Sequence, residues 1–355
     1  MNGDIHSTSS IFEKLIRKTV IPENMPIEHQ AELMEPLKVI IQGSLPDRLY
    51  RYRSCNEKTI EAFYGDKIYY SNGKYMNDGF DARVFLNKDV VSNWYLEQTS
   101  EKRVKELIEY LKNNDEVPEE MREIPNIDEI FAIAKLMPQD YINSAVTGIS
   151  TSKREMIDEL MHKIMEIAQE SVEFVCLSEV LNSPMMWGHY AQNEEGFCLE
   201  YDFKQSGQET KKATLFKPVI FPIVYGKDRF KVTDEYVQYL LTYRDLTMVK
   251  PRAVQDGYGD AIDYVVKERV ICPDVFMATK IAIHKSLEWE HEREWRMFNN
   301  SHAENIYERR YYEKRPVAIY LGRRMSPINK HIMKSLAREK GIPVYQMLLN
   351  DESPS

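Results

Sequence analysis

The chain has 355 residues, about the length of two ordinary domains, and its 43% hydrophobic and 29% charged content is globular usage that excludes wholesale disorder. A net charge of −9 argues against a basic face that binds nucleic-acid phosphates. No apolar run reaches 18 residues and the opening MNGDIHSTSS has neither a basic nor an apolar segment, so neither a membrane span nor a secretory signal is expected. Cys55, Cys176, Cys198 and Cys272 lie far apart with no Cys-x-x-Cys, and with no export signal four reduced thiols in a cytoplasm are expected.

Residues 9–43 read as helical, with Ile11, Leu15 and Ile16 on one stripe and Leu33, Leu37 and Ile41 on another, stopped by Gly43-Ser44-Leu45-Pro46. We therefore expect an N-terminal helical segment over 1–46 and one α+β domain over 47–350. Leu49–Arg53 reads as a strand, Cys55–Phe63 as a short helix and Lys67–Ser71 as a second strand closed by the turn pair Asn72-Gly73. A turn-rich loop, Met76–Asp81, follows. Residues 92–172 carry helical stripes at 103–113, 127–136 and 155–170, and 231–270 is again helical and charged. Both stretches read as insertions, the first a solvated packing module or a lid.

Strands are expected at Glu173–Leu177, Gly196–Tyr201, Val219–Tyr225, Trp289–Phe298, Val317–Leu321 and Val344–Leu348. A helix is expected at Pro273–Leu287 and another at Ser326–Lys340, the latter between a Ser cap and Gly341. The fold class is α+β: a mixed or antiparallel sheet core with large helical insertions. No strand runs into a Gly-rich phosphate loop.

The densest chemical signal is Trp289-Glu290-His291-Glu292-Arg293-Glu294-Trp295-Arg296. On a strand, period two puts Glu290, Glu292, Glu294 and Arg296 on one face. Adjacent carboxylates repel, which raises one pKa, while Arg296 offsets this and holds the second carboxylate ionised, giving a general-base or cation-stabilising pair; the alternatives are a solvated, ion-paired edge strand or a helix. In Leu49-Tyr50-Arg51-Tyr52-Arg53, Arg51 and Arg53 share a face opposite Tyr50 and Tyr52; arginine's fork suits phosphate or carboxylate, although such a residue is commonly a surface ion-pair partner. Ser178 ends a strand, where its hydroxyl contacts a ligand or caps the next element. Trp187, His189 and Tyr190 fall on a short helix, where His189 is commonly structural. Asn77-Asp78 is a turn by composition. The eight histidines show no metal-ligand spacing, so no metal is expected. Ser178 lacks the Gly-x-Ser-x-Gly setting of a hydrolase nucleophile.

Taken together, Leu49-Tyr50-Arg51-Tyr52, Tyr69-Tyr70-Ser71 with Met76-Asn77-Asp78-Gly79, Cys176-Leu177-Ser178, Met186-Trp187-Gly188-His189-Tyr190-Ala191 with Gly196–Glu200, and Lys285…Trp289–Arg296 resemble the bacterial family called domain of unknown function 2971. The resemblance covers about residues 47–300 and departs at Gly79, where the family usually has proline. More distantly, an Arg on a first strand, a Ser ending a middle strand and a late Glu-x-Glu resemble the Arg-Ser-Glu type of ADP-ribosyltransferase, although Ser178 lacks that motif's flanking Ser-Thr and no ADP-ribosylating-turn aromatic is identified. That resemblance implies a split sheet and NAD as substrate. Arg51 would pair a phosphate, Ser178 would fix the nicotinamide ribose and Glu294 would stabilise the ribosyl cation. Glu292 would orient or deprotonate the acceptor, and Tyr50, Tyr190 or Trp187 would stack on nicotinamide. Tyr52, His189, Asn77, Asp78 and Arg296 complete the expected cofactor-binding set. It implies an acceptor macromolecule in a toxin or antiphage setting. The rival expectation is a non-catalytic small-molecule or nucleotide-sensing module, with Glu292 and Glu294 as ion-pair partners of Arg51 and Arg296.

Overall fold

The computed structural model describes residues 2–76, 78–79, 81–98, 127–136, 153–204, 219–227, 230–255, 270–299 and 310–349, with a few further positions between 109 and 140. The chain is α+β. Helices α1 (Asn2–Lys18) and α2 (Ile27–Ser44) realise the N-terminal stripes. They are not a separate layer: Phe12, Ile16, Met34, Leu37 and Ile41 enter the same core as the sheet.

Strand β1 (Leu49–Arg53) leads into α3 (Glu57–Tyr64), which opens with a capping box between Asn56 and Thr59. The segment expected as one strand over 67–71 is two, β2 (Lys67–Tyr69) and β3 (Ser71–Asn72). They part at Tyr70 because they serve different partners: β2 pairs with β10 (Tyr311–Glu313), and β3 pairs with β4 (Glu173–Ser178). Asn72 closes no hairpin; its side chain accepts from the Lys74 amide and caps a short 3-10 turn.

The expected helical stretches supply α4 (Lys88–Gln98), α5 (Ile127–Leu136), α6 (Lys153–Glu170) and α8 (Asp234–Gln255), with α7 (Pro184–Tyr190) between them in the chain. The helix expected at 103–113 lies mostly outside the described residues, as does 256–269. Val91, Tyr95, Leu160, Ile164, Val237 and Leu241 from α4, α6 and α8 form a second apolar cluster. The two insertions therefore pack on each other.

The remaining elements are β5 (Phe197–Tyr201), β6 (Val219–Pro222), β7 (Val224–Gly226), α9 (Met277–Ala282), β8 (His284–Ser286), β9 (Glu294–Phe298), β11 (Ala318–Leu321), α10 (Pro327–Lys340) and β12 (Val344–Gln346). Three expectations are corrected here. The strand expected over 219–225 breaks at Ile223, whose amide donates to the Glu294 carbonyl while β7 turns away to pair with β8. The helix expected over 273–287 is confined to 277–282, because His284–Ser286 is drawn into that parallel pair. The strand expected over 289–298 begins only at Glu294: Leu287–Glu292 is a 3-10 helix, closed by Arg293 in the left-handed region at φ 45°. The last helix has both expected caps, Ser326 accepting from the Asn329 amide and Gly341 at φ 65°.

The main sheet runs β12-β11-β5-β1-β4-β9-β6, antiparallel except for β11–β12. By register, Leu49, Val175, Leu177, Leu199, Met297 and Ile319 share one face, which packs on Leu37, Phe63 and Met333 of the helices. Tyr50, Tyr52, Cys176, Ser178, Cys198, Glu200, Glu294, Arg296 and Tyr320 share the other. That second face meets α7 through Tyr52, Met186, Trp187 and Cys198. Strands β1 and β4 pair at Tyr50 and Ser178, and β4 then takes β3 as its neighbour at Phe174. All four cysteines are free thiols. Among the described residues no helix is long and apolar enough to cross a membrane.

Candidate functional site

A cavity of about 250 Å³ lies where β1 and β4 separate. Its lining includes Tyr50, Tyr52, Cys176, Ser178, Tyr190, Lys285, Trp289, Glu292 and Glu294. The register explains the convergence. Ser178 is the Cα partner of Tyr50 on one side and of Glu294 on the other, so all three side chains leave the sheet together. Glu292 reaches the same place by another route. The left-handed Arg293 turns the chain, and Glu179 fastens that turn, accepting from Trp295 Nε1 at 2.7 Å and pairing with Arg293 at 2.5 Å.

The floor is a buried ionic network. The Arg296 guanidinium, fully buried, donates from Nε to Glu294 Oε1 at 2.6 Å and from Nη1 to Asp81 Oδ1 at 2.8 Å. Lys285 Nζ donates to Glu292 Oε2 at 2.5 Å and to Glu294 Oε2 at 2.9 Å, with Asp81 at 3.9 Å. The Tyr190 hydroxyl donates to the remaining Glu292 oxygen at 2.5 Å. Three carboxylates facing two cations leave one net negative charge.

Burial opposes ionisation of Glu294, but the Arg296 guanidinium and the Lys285 ammonium outweigh it and hold the pKa at about 2. Burial likewise opposes the Lys285 charge, and the Glu294 and Glu292 carboxylates reverse this and raise its pKa. Burial first, then the Glu292 hydrogen bond, pushes the Tyr190 phenol up. Cys176 is exposed to the cavity yet densely surrounded; burial and then Glu294 push its thiol well up, so it is no thiolate at neutral pH.

The expected site residues divide into groups. Glu292, Glu294, Tyr50, Tyr52, Tyr190, Ser178 and Asp78 line the cavity. Arg296 lies beneath it. The Ser178 hydroxyl is already engaged: it donates to the Glu292 carbonyl at 2.7 Å and accepts from the Val180 amide at 3.0 Å, so it shapes the Glu292 turn. Arg51 and Arg53 border the cavity, but period two puts them on the face of β1 opposite Tyr50, and Arg51 Nη2 donates to the Tyr69 carbonyl at 3.1 Å.

Trp187 and His189 do not line it. Trp187 is buried edge-on against Tyr52 with its indole donating to the Leu181 carbonyl, and His189 is exposed. Asn77 lies outside the described residues. Sequence reasoning missed Asp81, the bidentate partner of Arg296, and gave no role to Lys285, which appeared only within the family motif. Among the described residues no group of three His, Cys, Asp or Glu side chains is placed to hold a metal ion.

The model of a family described as "Protein of unknown function (DUF2971)" matches residues 186–297. That span carries Met186, Tyr190, Lys285, Glu292, Glu294 and Arg296, so this part of the site stands on the matched segment; Tyr50, Asp81 and Ser178 lie outside it. No curated protein and no solved structure matches the chain.

Proposed function

We propose that the cavity takes the ribosyl-nicotinamide end of NAD and cleaves its N-glycosidic bond, passing the ADP-ribosyl group to an acceptor. The observation that carries this reading is the pairing of a net-negative carboxylate floor with walls of Tyr50, Tyr52, Tyr190 and Trp289. Nicotinamide in NAD is a flat cation, and aromatic walls beside an anionic floor suit it. In the reaction the C1′–N1 bond breaks and its electron pair goes to N1, which becomes neutral. The oxocarbenium-like C1′ faces a carboxylate, the acceptor's lone pair attacks C1′, and the acceptor proton passes to that carboxylate or to water.

Glu292 suits the role next to C1′ better than Glu294. Both Glu294 oxygens are held by Arg296 and Lys285, whereas one Glu292 oxygen meets, among the described residues, only the Tyr190 hydroxyl, which can rotate aside. Glu294 keeps the floor charged and holds Lys285. A macromolecular acceptor, and a toxin or antiphage setting, rest on the family resemblance alone.

The second reading, a nucleotide-sensing module without turnover, draws on the ion pairing of Glu294 with Arg296 and the engagement of the Ser178 hydroxyl within the protein. One experiment separates the two: NAD labelled in the nicotinamide and in the adenylate is incubated with wild type and Glu292→Gln. Release from wild type, lowered at least about 100-fold in the variant, supports transfer chemistry. Saturable binding without release supports the sensor. Neither binding nor release rejects both.

A further inference from the structure

The second sheet face continues past the cavity as a row of tyrosines. Tyr52 on β1, Cys198 on β5, Tyr320 on β11 and Tyr345 on β12 are successive Cα partners and so stand on one face. Tyr50, a wall of the cavity, meets Tyr320 edge-to-face at 6.2 Å between ring centroids, and Tyr320 stacks on Tyr345 at 5.1 Å with 22° between planes. The row is braced: the Tyr320 hydroxyl donates to Glu200 Oε2 at 2.6 Å, and Glu200 is held in turn by Arg48 at 2.8 Å. Met347 and Leu181, like Tyr50 and Tyr320, pack against the buried cluster of Tyr52, Met186, Trp187 and Cys198. The outermost ring, Tyr345, is 50% exposed, so the far end of the row is open to a partner.

We propose that the Tyr50–Tyr320–Tyr345 row is a stacking platform for the second base of a dinucleotide whose nicotinamide end occupies the cavity. The inference rests on the proposed function and extends it to the substrate class. Continuity carries it: Tyr50 belongs to both the cavity and the row. Length agrees. From β4 to β11 is three strand spacings, about 14 Å, and to β12 about 19 Å. A mononucleotide seated in the cavity does not reach that far, whereas an extended dinucleotide reaches Tyr320 and the near edge of Tyr345. The Glu200 charge, neutralised by Arg48, leaves the row a place for an uncharged base and not for a phosphate.

The test compares NAD with nicotinamide mononucleotide, which lacks the adenylate, by titration calorimetry on wild type, Tyr345→Ala and Tyr345→Phe. Wild type is expected to bind NAD about tenfold more tightly than the mononucleotide, the worth of one stacked base. Tyr345→Ala, which removes the ring that Tyr320 stacks on and the outer part of the row, is expected to lower that ratio at least about threefold, and Tyr345→Phe to preserve it. Equal affinities in wild type, or a ratio that survives Tyr345→Ala, overturn the platform and leave the cavity reading standing. Failure of both compounds to bind wild type overturns the cavity reading and the platform with it. A wild-type oligomer that Tyr345→Ala dissolves overturns the platform, because the row is then an interface between copies.

Discussion

Lys285→Met keeps an aliphatic side chain of similar length and removes one charge from the floor. The Lys285 ammonium lies 2.5 Å from Glu292, 2.9 Å from Glu294 and 3.9 Å from Asp81. Without it three carboxylates face Arg296 alone, and the local charge goes from −1 to −2. At an effective dielectric of about 20 each of these pairs has a gross attraction of about 4–7 kcal/mol. Desolvation of the ammonium takes back several, and removing one partner of a buried pair leaves a net loss of about 3–5 kcal/mol. The uncompensated carboxylate then has a folded pKa above its unfolded value. Its penalty is full at neutral pH and is relieved as the pH falls and it takes up a proton. Urea unfolding at pH 7 and pH 5 checks this: the wild-type advantage should be about 3–5 kcal/mol at pH 7 and clearly smaller at pH 5, with unchanged slope. A loss below about 1 kcal/mol, or one equal at both pH values, would refute the argument that these carboxylates are held charged out of water.

Three further outcomes follow from the same geometry. Glu294, held at about 2 against an ordinary 4.5, contributes stability that is full above about pH 4.5 and disappears as the pH falls towards 2, about 3 kcal/mol in all; acid unfolding of Glu294→Gln should lack that steep limb. Ser178→Ala should lower stability by about 1–3 kcal/mol in urea titration, because it leaves the Glu292 carbonyl and the Val180 amide without their shared hydroxyl. Gly196→Ala should fail to fold or lose more than about 3 kcal/mol, read as soluble yield and melting temperature. Its Cβ would stand 2.1 Å from the Arg53 carbonyl oxygen, backbone against backbone beside the cavity.

Alternation was the most legible signal. Glu294 and Arg296 do share a face, as period two required, and the Ser326 and Gly341 caps bound the last helix as their chemistry dictates. What alternation could not show was a single left-handed residue. Arg293 at φ 45° ends the strand, so Glu292 joins the cluster from a 3-10 turn while Glu290 stays exposed. The opposition of Arg51 and Tyr50 was also readable, but its consequence depended on register. Because Tyr50 pairs with Ser178, the tyrosines and not the arginines stand over the acidic floor. Asp81 was hidden for a different reason. It comes from a loop 215 residues away from Arg296 in sequence, and only the folded sheet brings a turn aspartate beneath a buried guanidinium. Trp187 looked like a stacking group because its motif sits beside the site; its indole is spent on the Leu181 carbonyl and on Tyr52.

The most direct measurement is a crystal structure of the protein with nicotinamide mononucleotide. The nicotinamide ring should lie against Tyr50 and Tyr190, with the ribose C1′ within about 3.5 Å of a Glu292 oxygen and the Tyr190 hydroxyl turned off that oxygen. A mononucleotide bound elsewhere, or seated in the cavity with its phosphate on Glu292 and Glu294, would contradict this placement.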